Sequence, residues 1–318
     1  MIKVIAVLFT LILTSFFFFP FEPVFLPGIT VKTILAGLSL PYIAFLLAKG
    51  RNAIVSHDVV TIILFTLPIT LFSWVSNIHN NTYDYSFNFY FVSFFVWMGA
   101  ACVIVSLINA VHQRLSVQLV ANYLIGVCLL QCILSQCMEY NPALMDFING
   151  LMAKDGEAFM GDAGNRIHGL GCALDVAGGR FAAVLLMIAF FLTCSRTKLE
   201  VYFYTTSFFI IAIFGNMIAR TTTIGVILSI LYWIYDILKG NIEHKIYLRY
   251  ILAICMFVIP AMVILYNINE VFRENIRFGF EGFFSLAERG KWETNSTDIW
   301  SEHMVGFPDN LKTWIIGD

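Results

Sequence analysis

The run "FAAVLLMIAFFLTC", residues 181–194, decides the fold class because it holds no charged side chain over about four helical turns. A second run of this kind, "VIAVLFTLILTSFFFF", occupies residues 4–19. Of the 318 residues, 59% are hydrophobic and 13% are charged, about half the roughly 25% found in soluble domains. The sequence therefore predicts an all-α, multi-pass integral membrane protein.

Apolar windows of about 20 residues, the length that crosses a bilayer core, recur along the chain. They predict about nine transmembrane helices, gathered in a bundle over residues 1–267, and a carboxyl-terminal segment over residues 268–318. The amino-terminal run, residues 4–19, is interpreted as an uncleaved helix, because no small-x-small cleavage site follows it. The predicted crossings are residues 4–19, 31–48, 59–75, 89–110, 117–138, 172–194, 201–218, 222–238 and 250–267.

The orientation follows from lysine and arginine in the short connections, which lie at alternate ends of the predicted crossings. Cytoplasmic loops carry an excess of these residues, so the side that holds them is predicted to be the cytoplasm. The amino terminus is then cytoplasmic, the carboxyl terminus is periplasmic, and the membrane is a bacterial inner membrane. Two longer polar segments, 139–171 and 268–318, fall on the periplasmic side. The residues that set the orientation are Lys3, Lys49, Arg51, Arg114, Arg196, Lys198, Lys239, Lys245 and Arg249.

Charge and cysteine content exclude several classes of function. The formal net charge is −2 and no basic block or stripe exists, so a nucleic-acid partner is not expected. The seven cysteines lie almost entirely in apolar runs, without a CxxC motif or a Cys/His cluster. They are interpreted as small buried side chains, not as a disulfide framework or a zinc site. No cofactor and no metal are expected.

An arginine interrupts the longest apolar region of the chain. Residues 201–238 would extend about 57 Å as a single helix, nearly twice a bilayer core, so they are predicted to form two helices. The corner falls in "GNMIARTTTIG", residues 215–225, and places Arg220 on the periplasmic side. Arg220 is either a residue that snorkels to the headgroups or a fixed cation bound to an anion. The threonines at 221–223 are predicted to cap the next helix, whose amino end also favours an anion.

A second arginine, Arg180, lies several residues inside the sixth predicted crossing. A charge at that depth is costly unless it faces the bundle interior or water, so a functional role is the default hypothesis. The alternative is a structural ion pair with Asp175. Five residues along a helix turn the two side chains about 140° apart, so a direct pair needs the stretch "DVAGG" to be unwound.

Arg166 precedes the same crossing, so three arginines, Arg166, Arg180 and Arg220, converge on the periplasmic side. Guanidinium groups bind phosphate oxygens in a bidentate manner, which a single lysine cannot do. No Asp/Glu-rich metal site accompanies these arginines in the sequence. The cluster therefore predicts a lipid-linked phosphate or pyrophosphate as the ligand.

Three stretches resemble motifs of the O-antigen ligase and polymerase superfamily. "RIHGLGCALDVAGGRFAAVLLMI", residues 166–188, resembles its Arg-x-x-Gly segment and the apolar helix that follows. "GNMIARTTTIGVILSILYWI", residues 215–234, resembles its later helix start with Arg-Thr/Ser-x-x-Gly. Residues 295–318, "NSTDIWSEHMVGFPDNLKTWIIGD", resemble its large periplasmic loop. The likeness covers residues 160–318 by motif, and the first half of the chain by hydropathy alone.

The resemblance implies a metal-independent, inverting glycosyltransferase of a multi-helix fold. Such proteins transfer a glycan from an undecaprenyl-pyrophosphate carrier to a sugar hydroxyl at the periplasmic face, beside a flippase and a chain-length regulator. Arg166 and Arg220, together with Arg180, would hold the pyrophosphate and stabilise its charge as it leaves. Arg289 and Lys291 either contact the acceptor or phosphate or belong to a solvated charged face.

The same reaction implies a base that helps to deprotonate the attacking hydroxyl. The titratable candidates near the predicted periplasmic face are His168, Asp175, Glu302 and His303, of which Asp175 and His303 are the predicted catalytic residues. The alternative for His303 is a solvated loop histidine, which is the more common role of a lone histidine. Family ligases carry a functional histidine after a Gly-x-Gly turn, whereas this chain stops at "WIIGD" inside that motif, so His303 does not inherit that role.

The closing helices of the family are also missing. Either the gene is truncated, the sequence is a fragment, or the protein works with a shortened end, so the activity of this chain is in question. A polymerase that extends lipid-linked repeat units is the leading hypothesis, because the motifs are closest to those of polymerases. A ligase that transfers finished chains to a lipid core is the second hypothesis. A flippase or other transporter is the third; transporters usually show internal repeats, and none is found in this sequence. A non-catalytic remnant is the last.

Overall fold

The computed structural model describes residues 2–48, 57–82, 85, 87–153, 167–240, 245–294, 297 and 310–316. This part of the chain is helical and contains no β-strand. Helices are the expected form, since a bilayer core holds no water to bond exposed backbone groups. In chain order, the helices are α1 (Ile2–Phe18), α2 (Val31–Ala48), α3 (His57–Asn80), α4 (Tyr90–His112), α5 (Val117–Glu139), α6 (Pro142–Asn149), α7 (Leu174–Cys194), α8 (Lys198–Ile218), α9 (Thr222–Leu238), α10 (Lys245–Ile268), α11 (Glu270–Gly279), α12 (Glu281–Arg289) and α13 (Leu311–Ile316).

Each of the nine predicted crossings coincides with one of these helices, so the all-α prediction is confirmed. By length and composition, five of the described helices are able to cross a membrane, which supports a membrane-embedded protein. Three further apolar helices are shorter, and the count of nine crossings stays a prediction. The five are Tyr90–His112, Val117–Glu139, Val176–Cys194, Lys198–Ile218 and Tyr247–Ile268, and the shorter ones are Ile2–Phe18, Val31–Phe45 and Thr222–Leu238.

The chain forms two compact units, each with its own packing. The first unit comprises Met1–Gly28 and Ile108–Thr294, and the second comprises Ile29–Leu107 and Asn295–Asp318. In the second unit, residues of α2 and α4 line an apolar cavity of about 580 Å³. The sequence-based boundary at residue 267 separates the predicted transmembrane bundle from the predicted periplasmic segment. These units are defined by packing and do not test that boundary, so it stays a prediction.

Helix α7 is the centre of the first unit and packs against α5, α8 and α9. Two glycines allow this close packing. A Cβ atom on Gly225 of α9 would lie 2.3 Å from the Cα of Ala182, and one on Gly178 would lie 2.7 Å from the Cβ of Thr221. Small residues at such contacts are typical of helix pairs in membranes. The buried apolar residues of α7 are Ala177, Phe181, Val184, Leu185, Ile188, Ala189 and Leu192.

Helix α1 buries polar residues and exposes apolar ones, which is the reverse of a helix on the surface of a soluble protein. Thr10, Thr14 and Ser15 are buried, whereas Phe9 is exposed. Thr14 donates a hydrogen bond to the carbonyl of Thr10 at 2.7 Å, and Ser15 accepts one of 3.0 Å from the Nε2 of Gln131 on α5. An apolar outer surface with polar groups bonded inside is what a lipid environment requires.

Contacts at the helix ends show that the long helices of the first unit alternate in direction. The first turns of α7 meet the α8–α9 connection, as the packing of Gly178 shows. The end of α10 meets the end of α5, because Asn269 donates a hydrogen bond of 3.1 Å to the hydroxyl of Tyr140. Helix α11 follows α10 and packs on the end of α8, since a Cβ atom on Gly279 would lie 2.9 Å from the carbonyl oxygen of Asn216. The ends of α5 and α10 therefore lie at the same end of the unit as the α8–α9 connection. We call this shared end of the helices the polar end, and its side of the membrane stays a prediction.

Candidate functional site

The connection between α8 and α9, residues 219–221, lies where the sequence predicts a corner and carries Arg220 to the polar end. Asn216 is fully buried and fixes this corner. Its Oδ1 accepts a hydrogen bond of 2.6 Å from Thr223, and its Nδ2 donates one of 2.6 Å to the carbonyl of Ala212. The backbone that carries Arg220 is therefore held by side-chain bonds from both adjoining helices.

The threonines of the corner do not cap α9, so that part of the sequence prediction is wrong. Thr221 stands at the N-cap position but makes no side-chain capping hydrogen bond. The hydroxyl of Thr222 donates to the carbonyl of Gly215 at 3.1 Å, and Thr223 bonds Asn216. Both hydroxyls bond to α8, where the carbonyl of Gly215 and the side-chain amide of Asn216 are buried. A buried polar group without a hydrogen bond is costly, which favours these bonds over a helix cap.

The side chain of Arg220 is held against helices α11 and α12 and is only 18% exposed. Its guanidinium forms an ion pair with the carboxylate of Glu281 and lies 4.6 Å from the ring centre of Phe278. A snorkelling residue would extend towards the headgroups and away from the protein. Arg220 instead packs on α11 and α12, where its partner is Glu281 of the same chain. Binding of an external anion by Arg220 stays a prediction.

Arg180 lies in the second turn of α7, close to the Gly178 contact with the α8–α9 connection. Its guanidinium carbon is 5.5 Å from the ring centre of Phe19 and 6.0 Å from that of Phe18, within the range of a cation–π contact. Arg180 and Arg220 therefore belong to the same end of the first unit.

The other predicted site residues are placed only in part. His168 precedes α7, and its Nε2 lies 3.0 Å from the Oδ1 of Asn149 at the end of α6. The backbone of Asp175 belongs to the first turn of α7, which is helical up to and beyond Arg180. The unwinding of "DVAGG" that a direct ion pair would need is therefore absent. The residues that lie outside the described part of the chain are Arg166, Glu302 and His303, together with the side chain of Asp175.

An open cavity of about 290 Å³ lies on helices α11 and α12 and on the chain that follows them. Glu281 forms part of its wall, so the residue that binds Arg220 also belongs to this cavity. Phe284 supplies an aromatic surface, and its ring is stacked on Tyr266 with the centres 5.9 Å apart and the planes 12° from parallel. The other lining residues are Arg277, Phe278, Ser285, Glu288, Arg289 and Glu293.

Charged residues of opposite sign face one another in the cavity wall. Arg277 lies 2.8 Å from Glu288, and Arg289 lies 3.5 Å from Glu293, measured between nitrogen and oxygen. The hydrogen bond from Arg277 lowers the pKa of Glu288 below its ordinary value, and the same bond raises the pKa of Arg277. Both side chains therefore carry their charges at neutral pH, and the cavity is polar and ionised.

Glu281 is not among the residues predicted from the sequence. Arg289 and Lys291 are the two cations that the sequence suggests as contacts of the acceptor or phosphate. Arg289 lines the cavity, while the backbone carbonyl of Lys291 accepts a hydrogen bond of 2.9 Å from Ser285. A sequence signal was present in "RFGFEGFFSLAER", residues 277–289, where acidic residues interrupt an aromatic amphipathic stretch. That pattern indicates a helix on a membrane face, but it does not indicate which residue Glu281 contacts.

Comparison with protein-family models, with curated proteins and with solved structures finds no match to the chain. Among the described residues, no three histidine, cysteine, aspartate or glutamate side chains are grouped as a metal site would need. The candidate site is therefore defined by its own geometry. It consists of a largely buried arginine at a helix corner, a second arginine at the same end, and a charged cavity that shares one carboxylate with the first arginine.

Proposed function

We propose that this protein polymerises lipid-linked oligosaccharide repeat units and binds the pyrophosphate of the undecaprenyl carrier at the polar end. The observation that carries the proposal is the Arg220 guanidinium, which is withdrawn from solvent, held over Phe278 and occupied by an acidic group. Carboxylate and phosphate both present paired oxygen atoms to the guanidinium fork. A position that binds one of them is chemically suited to the other.

In the proposed reaction, the pyrophosphate of the donor binds to Arg220, and Arg180 adds positive charge at the same end. A hydroxyl of the acceptor sugar attacks the anomeric carbon of the donor glycan. The bond between that carbon and the phosphate oxygen breaks, and its electron pair leaves with undecaprenyl pyrophosphate. Arg220 stabilises the negative charge that develops on this leaving group, which is the main electrostatic contribution of the site.

The choice of carrier and reaction comes from the resemblance of residues 166–188 and 215–234 to polymerase motifs. Transport of a lipid-linked glycan has less support, because α5, α7, α8 and α9 run unbroken around the site. Transporters usually present broken half-helices to their substrates near the middle of the membrane. Ligation to a lipid core uses the same chemistry with another acceptor, so it has to be separated from polymerisation by experiment.

Deleting the gene and separating the surface glycans of the strain on a gel tests this proposal. The expected result is a single repeat unit on the lipid core, with the ladder of longer chains restored by the wild-type gene. A bare core, with long chains left on the carrier lipid, would identify a ligase. A ladder that is unchanged by the deletion would contradict both activities.

A further inference from the structure

Glu281 and Phe278 both contact Arg220 and both belong to the residues that line the cavity on α11 and α12. The side chain of Glu281 is 35% exposed, whereas that of Arg220 is 18% exposed, and Arg220 does not line the cavity. Glu281, rather than Arg220, is therefore the residue that a molecule in the cavity would meet.

Glu281 contacts Nη1 of Arg220. A pyrophosphate that binds the guanidinium in a bidentate manner through Nη1 would displace Glu281 from that nitrogen. The displaced carboxylate would stay at the cavity wall with a new anion beside it in place of a cation. A neighbouring negative charge favours the protonated form of a carboxyl group. Glu281 would therefore become a stronger base at the moment when the glycan donor is bound.

We propose that Glu281 is the general base of the reaction and that the cavity beside it receives the acceptor sugar. This inference rests on the proposed function and names the residue that accepts the proton. The hydroxyl of the acceptor gives its proton to the Glu281 carboxylate while its oxygen bonds to the anomeric carbon. The bond from that carbon to the phosphate oxygen breaks, its electron pair leaves with the pyrophosphate on Arg220, and Glu281 later releases the proton to water.

The cavity has the chemistry that a sugar ring requires. Its volume of about 290 Å³ lies near the lower limit of roughly 300–1,000 Å³ for small-molecule sites, and its open side lets a longer glycan extend outwards. Glu288 offers acceptors for sugar hydroxyls, and Arg289 offers donors. The ring of Phe284 contacts Tyr266 and Arg277 and adds apolar surface to the wall.

Two measurements on Glu281→Gln test the inference. The first is the binding of inorganic pyrophosphate to the purified full-length protein in lipid nanodiscs. The second is elongation of lipid-linked repeat units extracted from the deletion strain. Elongation should fall by roughly 10²–10⁴-fold, the usual contribution of a general base. Pyrophosphate should bind about two to five times more tightly, because a partly exposed ion pair that competes for Arg220 is lost.

Glu270→Gln is the matched control, because Glu270 forms an ion pair of 3.1 Å with Arg273 on α11 and does not line the cavity. It should change neither measurement. Weaker pyrophosphate binding by Glu281→Gln together with a lower unfolding temperature would show a structural role, and undiminished elongation would exclude the base. Either result overturns the inference while the wild type remains active. A wild-type protein that neither binds pyrophosphate nor elongates the glycan would instead overturn the proposed function.

Discussion

Replacing Arg220 by lysine is expected to abolish elongation of the lipid-linked glycan, although lysine keeps the positive charge. The lysine ammonium cannot hold two phosphate oxygens in the planar fork that a guanidinium provides. Its shorter reach also removes the contact with Phe278 that positions the charge. The rate should fall by at least about 10²–10³-fold, the usual loss when a donor to a developing negative charge is removed. The surface-glycan ladder of a strain that carries only the variant gene measures this loss.

Arg273→Lys serves as the control for Arg220→Lys. Arg273 forms an exposed ion pair with Glu270 on α11, so the same chemical change is made on a nearby helix without touching the site. This control should give a normal ladder, and both variants should be inserted in the membrane at wild-type amounts. Normal elongation by Arg220→Lys and by Arg220→Ala would leave Arg220 without a role in binding the substrate.

Replacing Gly225 by valine is expected to disrupt the packing of α9 against α7. A Cβ atom at this position would lie 2.3 Å from the Cα and 2.7 Å from the Cβ of Ala182. The backbone of Ala182 cannot move aside as a flexible side chain would, so the helices must separate. Overpacking of a core typically costs about 1–3 kcal/mol, and this contact belongs at the upper end or beyond. The unfolding temperature of the purified protein should fall accordingly.

Gly179→Val is the matched control, because a Cβ atom on Gly179 of α7 meets nothing within 4 Å. Both substitutions replace a helical glycine by valine, so they share the same change in helix propensity. The difference between the two unfolding temperatures then reports the contact alone. Equal unfolding temperatures would show that α7 and α9 are not in contact at Gly225.

The helices could be predicted from the sequence because the bilayer leaves the chain few choices. The length of each apolar run was enough to predict a helix there. The region 201–238 was too long for one helix that crosses a bilayer, so a corner at Arg220 could be predicted as well. The ends were less certain. Helix α3, for example, runs from His57 to Asn80 and extends beyond the predicted 59–75, because polar residues at a helix end lower hydropathy without ending the backbone bonds.

The partners of the site could not be predicted in the same way. Glu281 lies 61 residues after Arg220, and the two meet only because α10 returns to the polar end and α11 packs on the end of α8. Hydropathy carries no information on such a contact. The threonines after Arg220 suited a helix cap by residue type, but tertiary contacts directed their hydroxyls to α8. Asp175 was a possible partner of Arg180 only if α7 unwound, and the helix is continuous there.

Elongation by the purified protein in proteoliposomes is the most direct test of the proposal that this protein polymerises lipid-linked repeat units. Lipid-linked single repeat units from the deletion strain would be the substrate, and the products would be separated on a gel. The expected products are chains of two or more repeats, with one undecaprenyl pyrophosphate released for each glycosidic bond that forms. Repeat units that remain single, with no carrier pyrophosphate released by wild-type protein that is folded and inserted, would contradict it.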